Sequence, residues 1–304
     1  MSTVIECARL TKRYPTSTLA LDSLDLEIAA GTSFGLVGEN GAGKSTFVKL
    51  VMGFIFPTAG RLRVLGHATV ARAHPRIGYV HERQFSDLYF TGRQYLTYMA
   101  ELSDLWGGTR RRRVDAGLQL TGILSAADRR LRTYSKGMLQ RLAIAQALLA
   151  QPDLVILDEP TAGLDPPNQR EVRDVISRMH GEGTTVLLCS HNLPEVEELC
   201  DTVGILHQGR LLRAGTVQAL RLSPTLAEIV VNTPEPLGPL LSRLGLGHAV
   251  VDARDHTLRV ELNQQAAVLQ ALLAAGVSLR SLNPVEESLE TIYLRETQWP
   301  GKTG

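Results

Sequence analysis

Cysteine is scarce in this chain. Cys7, Cys189 and Cys200 are the whole complement, with no CxxC pair and no Cys/His cluster. That excludes a disulfide framework, argues against a zinc site and fits a reducing compartment. Neither sign of charge is in excess: 32 Lys and Arg face 31 Asp and Glu, a net of +1. Such a balance leaves no electrostatic footprint for nucleic acid. Long apolar runs are missing too. The longest uncharged one, Val268–Leu279, contains Gln270 and Gly276 and falls short of the about 20 residues that a bilayer crossing needs. The opening MSTVIECARLTK lacks the apolar core of a signal peptide. Aromatics make up only 5%, and no fixed-period repeat is seen. Lysine occurs only at Lys12, Lys44, Lys49, Lys136 and Lys302, so the one inside a glycine loop stands out.

What is present is an ordinary apolar fraction, 44% of 304 residues, room for one large domain and a small one. Residues 1 to about 32 alternate apolar and polar, the pattern of a half-exposed sheet. Thr32–Val37 is a short apolar strand running into GENGAGKST, and STFVKLVMG has helical spacing. Residues 85 to about 132 are charged and helical in pattern, with breaks at Gly107-Gly108 and Gly122. From Leu139 a helix leads to strand Leu154–Leu157, a second helix leads to strand Thr185–Ser190, and a third is followed by a hairpin. Strands alternating with helices predict a mostly parallel sheet covered on both faces. Residues 216 to about 224 read as a linker. Beyond it the order βαββαβ predicts a ferredoxin-like domain.

Three segments carry chemistry. Gly38-Glu39-Asn40-Gly41-Ala42-Gly43-Lys44-Ser45, followed by Thr46, matches G-x4-G-K-[ST] between a strand and a helix. Its backbone N–H groups and the helix N-terminus would cradle phosphates. Lys44 would reach the β- and γ-phosphates and Ser45 would hold Mg²⁺. Strand Leu154–Leu157 ends in Asp158-Glu159, where one acid would order the Mg²⁺ shell and the other polarise an attacking water. Ser135 and Gly137 open a helix, a common start that on its own says little but would form a second anion site. His191, after strand Thr185–Ser190, faces the same crevice. On its own it would be an ordinary surface histidine.

In this order the motifs resemble the ATP-binding cassette (ABC) ATPases over residues 1 to about 220. The phosphate loop is Gly38–Ser45, the signature Tyr134-Ser135-Lys136-Gly137-Met138, the acidic pair Asp158-Glu159, the D-loop Gly163-Leu164-Asp165 and the switch histidine His191. Tyr14 falls where that family stacks an aromatic ring on adenine. The resemblance implies an α/β fold: a P-loop cassette with a parallel core sheet, an antiparallel β-subdomain and a helical insertion at about 85–135. The cassette would cover 1–218 and the ferredoxin-like accessory domain 219–304. It implies Glu159, His191 and Lys44 as catalytic residues, with ATP and Mg²⁺ as cofactors. It also implies a head-to-tail dimer, homo- or heteromeric, with each ATP between one subunit's phosphate loop and the other's signature.

Two departures stand out. The family signature is Leu-Ser-Gly-Gly-Gln, so Tyr134, Lys136 and Met138 differ, and Lys136 would add a cation near the partner's nucleotide. Glu82 stands where the family has a glutamine that ligates Mg²⁺, with Gln84 two residues on as the alternative. Together with ESLETIYLRE near the C-terminus, these features resemble the ATPase subunits of ABC-2-type exporters. That implies peripheral attachment to the cytoplasmic face of a bacterial-type plasma membrane, beside a separate permease reached through the segment around Glu82–Tyr98. A soluble ABC ATPase acting on ribosome or DNA would carry two cassettes, coiled-coil insertions or zinc modules, none of which appears. A regulatory module without turnover is opposed by the intact Lys44, Asp158, Glu159 and His191. Arg110–Arg113 reads as a solvated helix face, with anionic lipid or an acidic permease loop as the sharper alternative.

Overall fold

The computed structural model describes residues 2–15, 18–81 and 89–298. The chain divides into two compact units, Met1–Thr216 and Val217–Gly304.

The first unit runs β1 (Thr3–Arg13), β2 (Leu19–Ala29), β3 (Ser33–Val37), α1 (Lys44–Val51), β4 (Ala59–Val64) and β5 (Ile77–Val80). Helices α2 (Gly92–Leu102), α3 (Gly107–Leu120) and α4 (Lys136–Leu148) follow. Then come β6 (Leu154–Asp158), α5 (Pro166–Gly181), β7 (Thr185–Ser190), α6 (Leu193–Leu199), β8 (Thr202–His207) and β9 (Arg210–Thr216).

Two sheets share the load. The antiparallel sheet has order β2-β1-β4. In β2 the buried Leu24, Leu26 and Ile28 alternate with exposed neighbours, the period of a strand with one wet face. The six-stranded sheet has order β5-β6-β7-β3-β8-β9, parallel except for the β8–β9 hairpin. Strands β3, β6 and β7 are buried at every residue, which is why their sequences are near-continuous apolar runs. One core joins the two sheets around Phe47, Ile5, Leu36 and Ile156. A separate core holds the helical insertion, with Leu96, Leu118, Leu131 and Leu142 at its centre. Three of the four arginines at the start of α3 find partners close by: Arg110 pairs with Glu101, Arg111 with Asp115, and Arg112 donates to Thr109.

The second unit runs α7 (Val217–Arg221), β10 (Leu222–Asn232), α8 (Leu237–Leu244), β11 (Val250–Arg254), β12 (Thr257–Glu261), α9 (Gln265–Ala274), β13 (Ser278–Glu286) and α10 (Leu289–Gln298). Its sheet has order β11-β12-β10-β13, all antiparallel, and α8 and α9 supply Leu240, Leu241, Val268 and Leu272 to a core with Ile229 and Leu258. This is the split βαββαβ arrangement that the strand and helix order predicted. The linker reading of 216 to about 224 is corrected. Thr216 ends β9, Val217–Arg221 form α7, and β10 starts at Leu222, which pairs with Glu286 before a register shift.

Candidate functional site

The phosphate-type loop leaves β3, and the acidic pair leaves β6. These strands are not neighbours: β7, which delivers His191, lies between them. All three are parallel, so all three chain exits converge at one end of the sheet, the position where open α/β sheets bind ligands.

The loop is shaped by close backbone packing. Gly43 caps α1 with φ of 115°, and a Cβ there would stand 2.6 Å from the Ala20 carbonyl oxygen. Only glycine meets both demands. Lys44, the first residue of α1, is 6% exposed. Its Nζ donates to the carbonyls of Gly38 (2.5 Å) and Glu39 (3.3 Å) and lies 3.6 Å from Glu159 Oε1. A buried ammonium needs such partners. Ser45 is exposed at the mouth of the loop, as are Glu39 and Asn40. The Tyr14 hydroxyl is 3.4 Å from Thr46 Oγ1, which places the ring beside the start of α1.

Glu159 is held from several sides. It is a non-glycine residue at φ of 51°, a conformation that costs about 1 to 3 kcal/mol and persists where the surroundings hold it. Its N–H donates to the Cys189 carbonyl (2.9 Å), which carries the chain from β6 across β7. Its Oε2 is 2.8 Å from His191 Nδ1 and its Oε1 faces Lys44. The carboxylate therefore bridges an ammonium and an imidazole. Asp158, one residue earlier, is buried at 7%, and its charge helps to push the Tyr79 hydroxyl up to about 12, after burial as the larger cause. Ser45 and Asp158 are hard oxygen donors of the kind Mg²⁺ takes. Among the described residues no group of three or more His, Cys, Asp or Glu side chains forms a cage for a metal. Glu82 and Gln84 lie outside the described residues.

A second group gathers around the N-terminus of α4. Ser135 is exposed and its hydroxyl accepts from the Met138 N–H (3.2 Å). Gly137 is buried against α5, and a Cβ there would fall 2.1 Å from Asn168 Oδ1. Asp165 caps α5, accepting from the Asn168 backbone (3.0 Å) and side chain (2.6 Å). Lys136 turns within its own chain to the Ala162 carbonyl (2.8 Å). Tyr134 is buried, and its hydroxyl donates to the Ala126 carbonyl (2.7 Å). Its part is to anchor the loop to the helical core, to which the half-buried Met138 also packs. Tyr134→Phe removes this bond, leaving the Ala126 carbonyl with the Arg129 N–H alone, and should cost ~1 kcal/mol, read as a lowered denaturant midpoint of the full chain. Sequence reasoning missed Asn168, Thr161, Ser190 and Glu195. The last has a legible signal, the Asn192-x-x-Glu195 spacing of a helix cap.

Comparison with known proteins agrees with this geometry. The family model described as ABC transporter matches residues 21–162. The daunorubicin/doxorubicin resistance ATP-binding protein of Streptomyces peucetius is 37% identical, covering 97% of this chain and 93% of its own. A bacitracin transport ATP-binding protein of Bacillus licheniformis is 32% identical over 97% of each chain. Among solved structures, cbiO1 from Clostridium perfringens, described as part of an ABC transporter complex, shares 29% identity and a TM-score of 0.66, covering 71% of this chain and 89% of that one. A dimeric ATP-binding cassette in a post-hydrolysis state with ADP and Pi shares the fold at TM-score 0.63 and 22% identity. The loop at β3, the acidic pair at β6, the histidine after β7 and this set of relatives lead to one conclusion: the chain belongs to the ABC transporter family, as one of its ATP-binding, ATP-hydrolysing proteins.

Proposed function

We propose that this chain is the ATPase subunit of an exporter whose membrane path is a separate permease. The observation that carries the catalytic reading is the Glu159 carboxylate, set between Lys44 and His191. In this reading Lys44 exchanges its loop carbonyls and Glu159 for the β- and γ-phosphates of ATP. Glu159 then turns to the attacking water as general base, with His191 orienting it and the γ-phosphate. Tyr14 stacks on adenine, and residues Gly38–Thr46 hold the phosphates with their N–H groups. Mg²⁺, when bound by Ser45 and Asp158 with Glu82, would neutralise charge developing on the phosphate oxygens. Most of the catalysis is then positioning and electrostatics.

Ser135 and Gly137 are proposed to act on the ATP of a second subunit. Both subunits would close head to tail, with Asp165 and its D-loop neighbours at the junction. The exposed Ser135 hydroxyl and the two α4 residues tied to α5 and the D-loop, Gly137 and Lys136, support this reading, since they give α4 a fixed, outward-facing N-terminus. The export branch is supported by relatives named for daunorubicin resistance and bacitracin transport that match along nearly the whole chain.

Among the described residues no helix is long and apolar enough to cross a membrane. The chain is proposed to attach to the cytoplasmic face of the membrane through its permease. Co-expressed with that permease, it should sediment with membrane vesicles and confer ATP-dependent transport on them. Sedimentation without the permease would give the anchoring role to the arginines of α3 instead.

A further inference from the structure

Three Lys, Arg, Asp or Glu side chains are buried among the described residues: Lys44, Asp158 and Glu195. The first two belong to the nucleotide site. Glu195, 1% exposed, has no part in the chemistry described so far. It stands in the first turn of α6, where the Asn192 side chain caps its N–H (3.3 Å). In a capping box the glutamate would turn back to the N–H of Asn192. Here that N–H donates to Ser190 Oγ (3.0 Å), and the Ser190 hydroxyl donates to Glu195 Oε2 (3.0 Å). Glu195 Oε1 has no hydrogen-bond partner.

Such an acid is a poor choice for packing alone. Burial pushes the carboxyl above its ordinary range, the Thr161 and Ser190 hydroxyls pull it back, the Glu159 carboxylate adds to the rise and Arg173 opposes it. A buried carboxyl with one oxygen unpaired carries a desolvation cost that packing alone does not require. Stability therefore does not explain Glu195, but its neighbours do. Ser190, 1% exposed, immediately precedes His191, and Thr161, 5% exposed, follows Glu159 by two residues. Glu195 and Ser190 form a buried hydrogen-bonded pair at the foot of the segment that carries His191, with Thr161 buried nearby on the segment that carries Glu159. Residues that break a packing rule without local gain are expected where function needs them.

We infer that Glu195 is a positioning residue for ATP hydrolysis, holding through Ser190 the segment that presents His191 to Glu159. It keeps carboxylate and imidazole at hydrogen-bond distance when Lys44 moves to the nucleotide. The inference rests on the catalytic reading of Glu159 given above.

The test compares Glu195→Leu, Glu195→Gln and Ser190→Ala with the parent chain, measuring kcat and KM for ATP and Tm. Glu195→Leu strands the buried Ser190 hydroxyl and should still fold, with Tm modestly lowered. Its kcat should fall about 10- to 100-fold, the scale of a small misplacement of reacting groups, with KM within about threefold of the parent. Glu195→Gln keeps an acceptor for Ser190 and should recover most of the kcat. Ser190→Ala cuts the same tie from the other side and should lower kcat at unchanged KM, so the test survives if Glu195→Leu does not fold. Parent-like kcat in Glu195→Leu or in Ser190→Ala overturns the inference. So does a fall in Tm in Glu195→Leu and Glu195→Gln alike with kcat of the folded protein preserved. Glu159→Gln, assayed beside them, separates the two readings. Retained turnover there would remove the catalytic reading itself, whereas its loss beside an active Glu195→Leu would remove only this inference.

Discussion

Glu159→Gln should bind ATP and fail to turn it over, with kcat down by about 10²- to 10⁴-fold, the usual contribution of a general base. The substitution keeps the shape of the side chain and the strained backbone beneath it. It removes the negative charge that meets Lys44 at 3.6 Å and His191 at 2.8 Å. Lys44 then loses a competitor to the phosphates, so ATP affinity should hold or rise. With hydrolysis blocked, ATP-bound chains should accumulate as dimers, seen as a shift in sedimentation on adding ATP and Mg²⁺. Steady turnover near the parent rate would take the base role from Glu159.

Lys44→Ala should act at the earlier step. Its ammonium is buried and hydrogen-bonded by two loop carbonyls, so it is already aimed into the loop. Removing one partner of a buried charge pair costs about 2 to 5 kcal/mol. ATP affinity should therefore fall at least about 100-fold, or ~3 kcal/mol. Equilibrium binding of a fluorescent ATP analogue would read this directly, and undiminished affinity would contradict the loop assignment.

Much of this site was legible because each part is a contiguous motif at the end of a strand. Gly38–Ser45 follows an apolar strand and opens a helix, and Asp158-Glu159 closes another apolar strand, so pattern and chemistry point the same way. The insertion of β7 between β3 and β6 was not legible, since strand order depends on which apolar strands pair, and β3, β6 and β7 are alike in composition. That order is what brings His191 onto Glu159. Lys136 and Tyr134 show a different limit. Their places in the signature motif suggest a shared role, yet one reaches the Ala162 carbonyl of its own chain and the other is sunk in the helical core. Side-chain direction at a helix start depends on tertiary neighbours, which spacing does not encode. The Asn192-x-x-Glu195 spacing signals a helix cap, but the burial of Glu195 was hidden for the same reason, because a glutamate in a charged helix reads as solvated until Ser190 is seen beside it. In the second unit the alternation of short apolar runs sufficed for the βαββαβ order, but Ser-Pro at the start of β10 concealed a strand.

The central claim is that one chain supplies Lys44 and Glu159 to its own ATP and Ser135 to its partner's. It is tested most directly by complementation in chains carrying Glu159→Gln. One set also carries Lys44→Ala, the other Ser135→Arg, and ATP-dependent dimer formation is followed by sedimentation. Either set alone lacks a complete site. A mixed pair regains one, from the loop of the Ser135→Arg chain and the signature of the Lys44→Ala chain. The account predicts dimers on mixing with ATP and none from either set alone. No dimer in the mixture, or dimers from the Ser135→Arg set by itself, would contradict it.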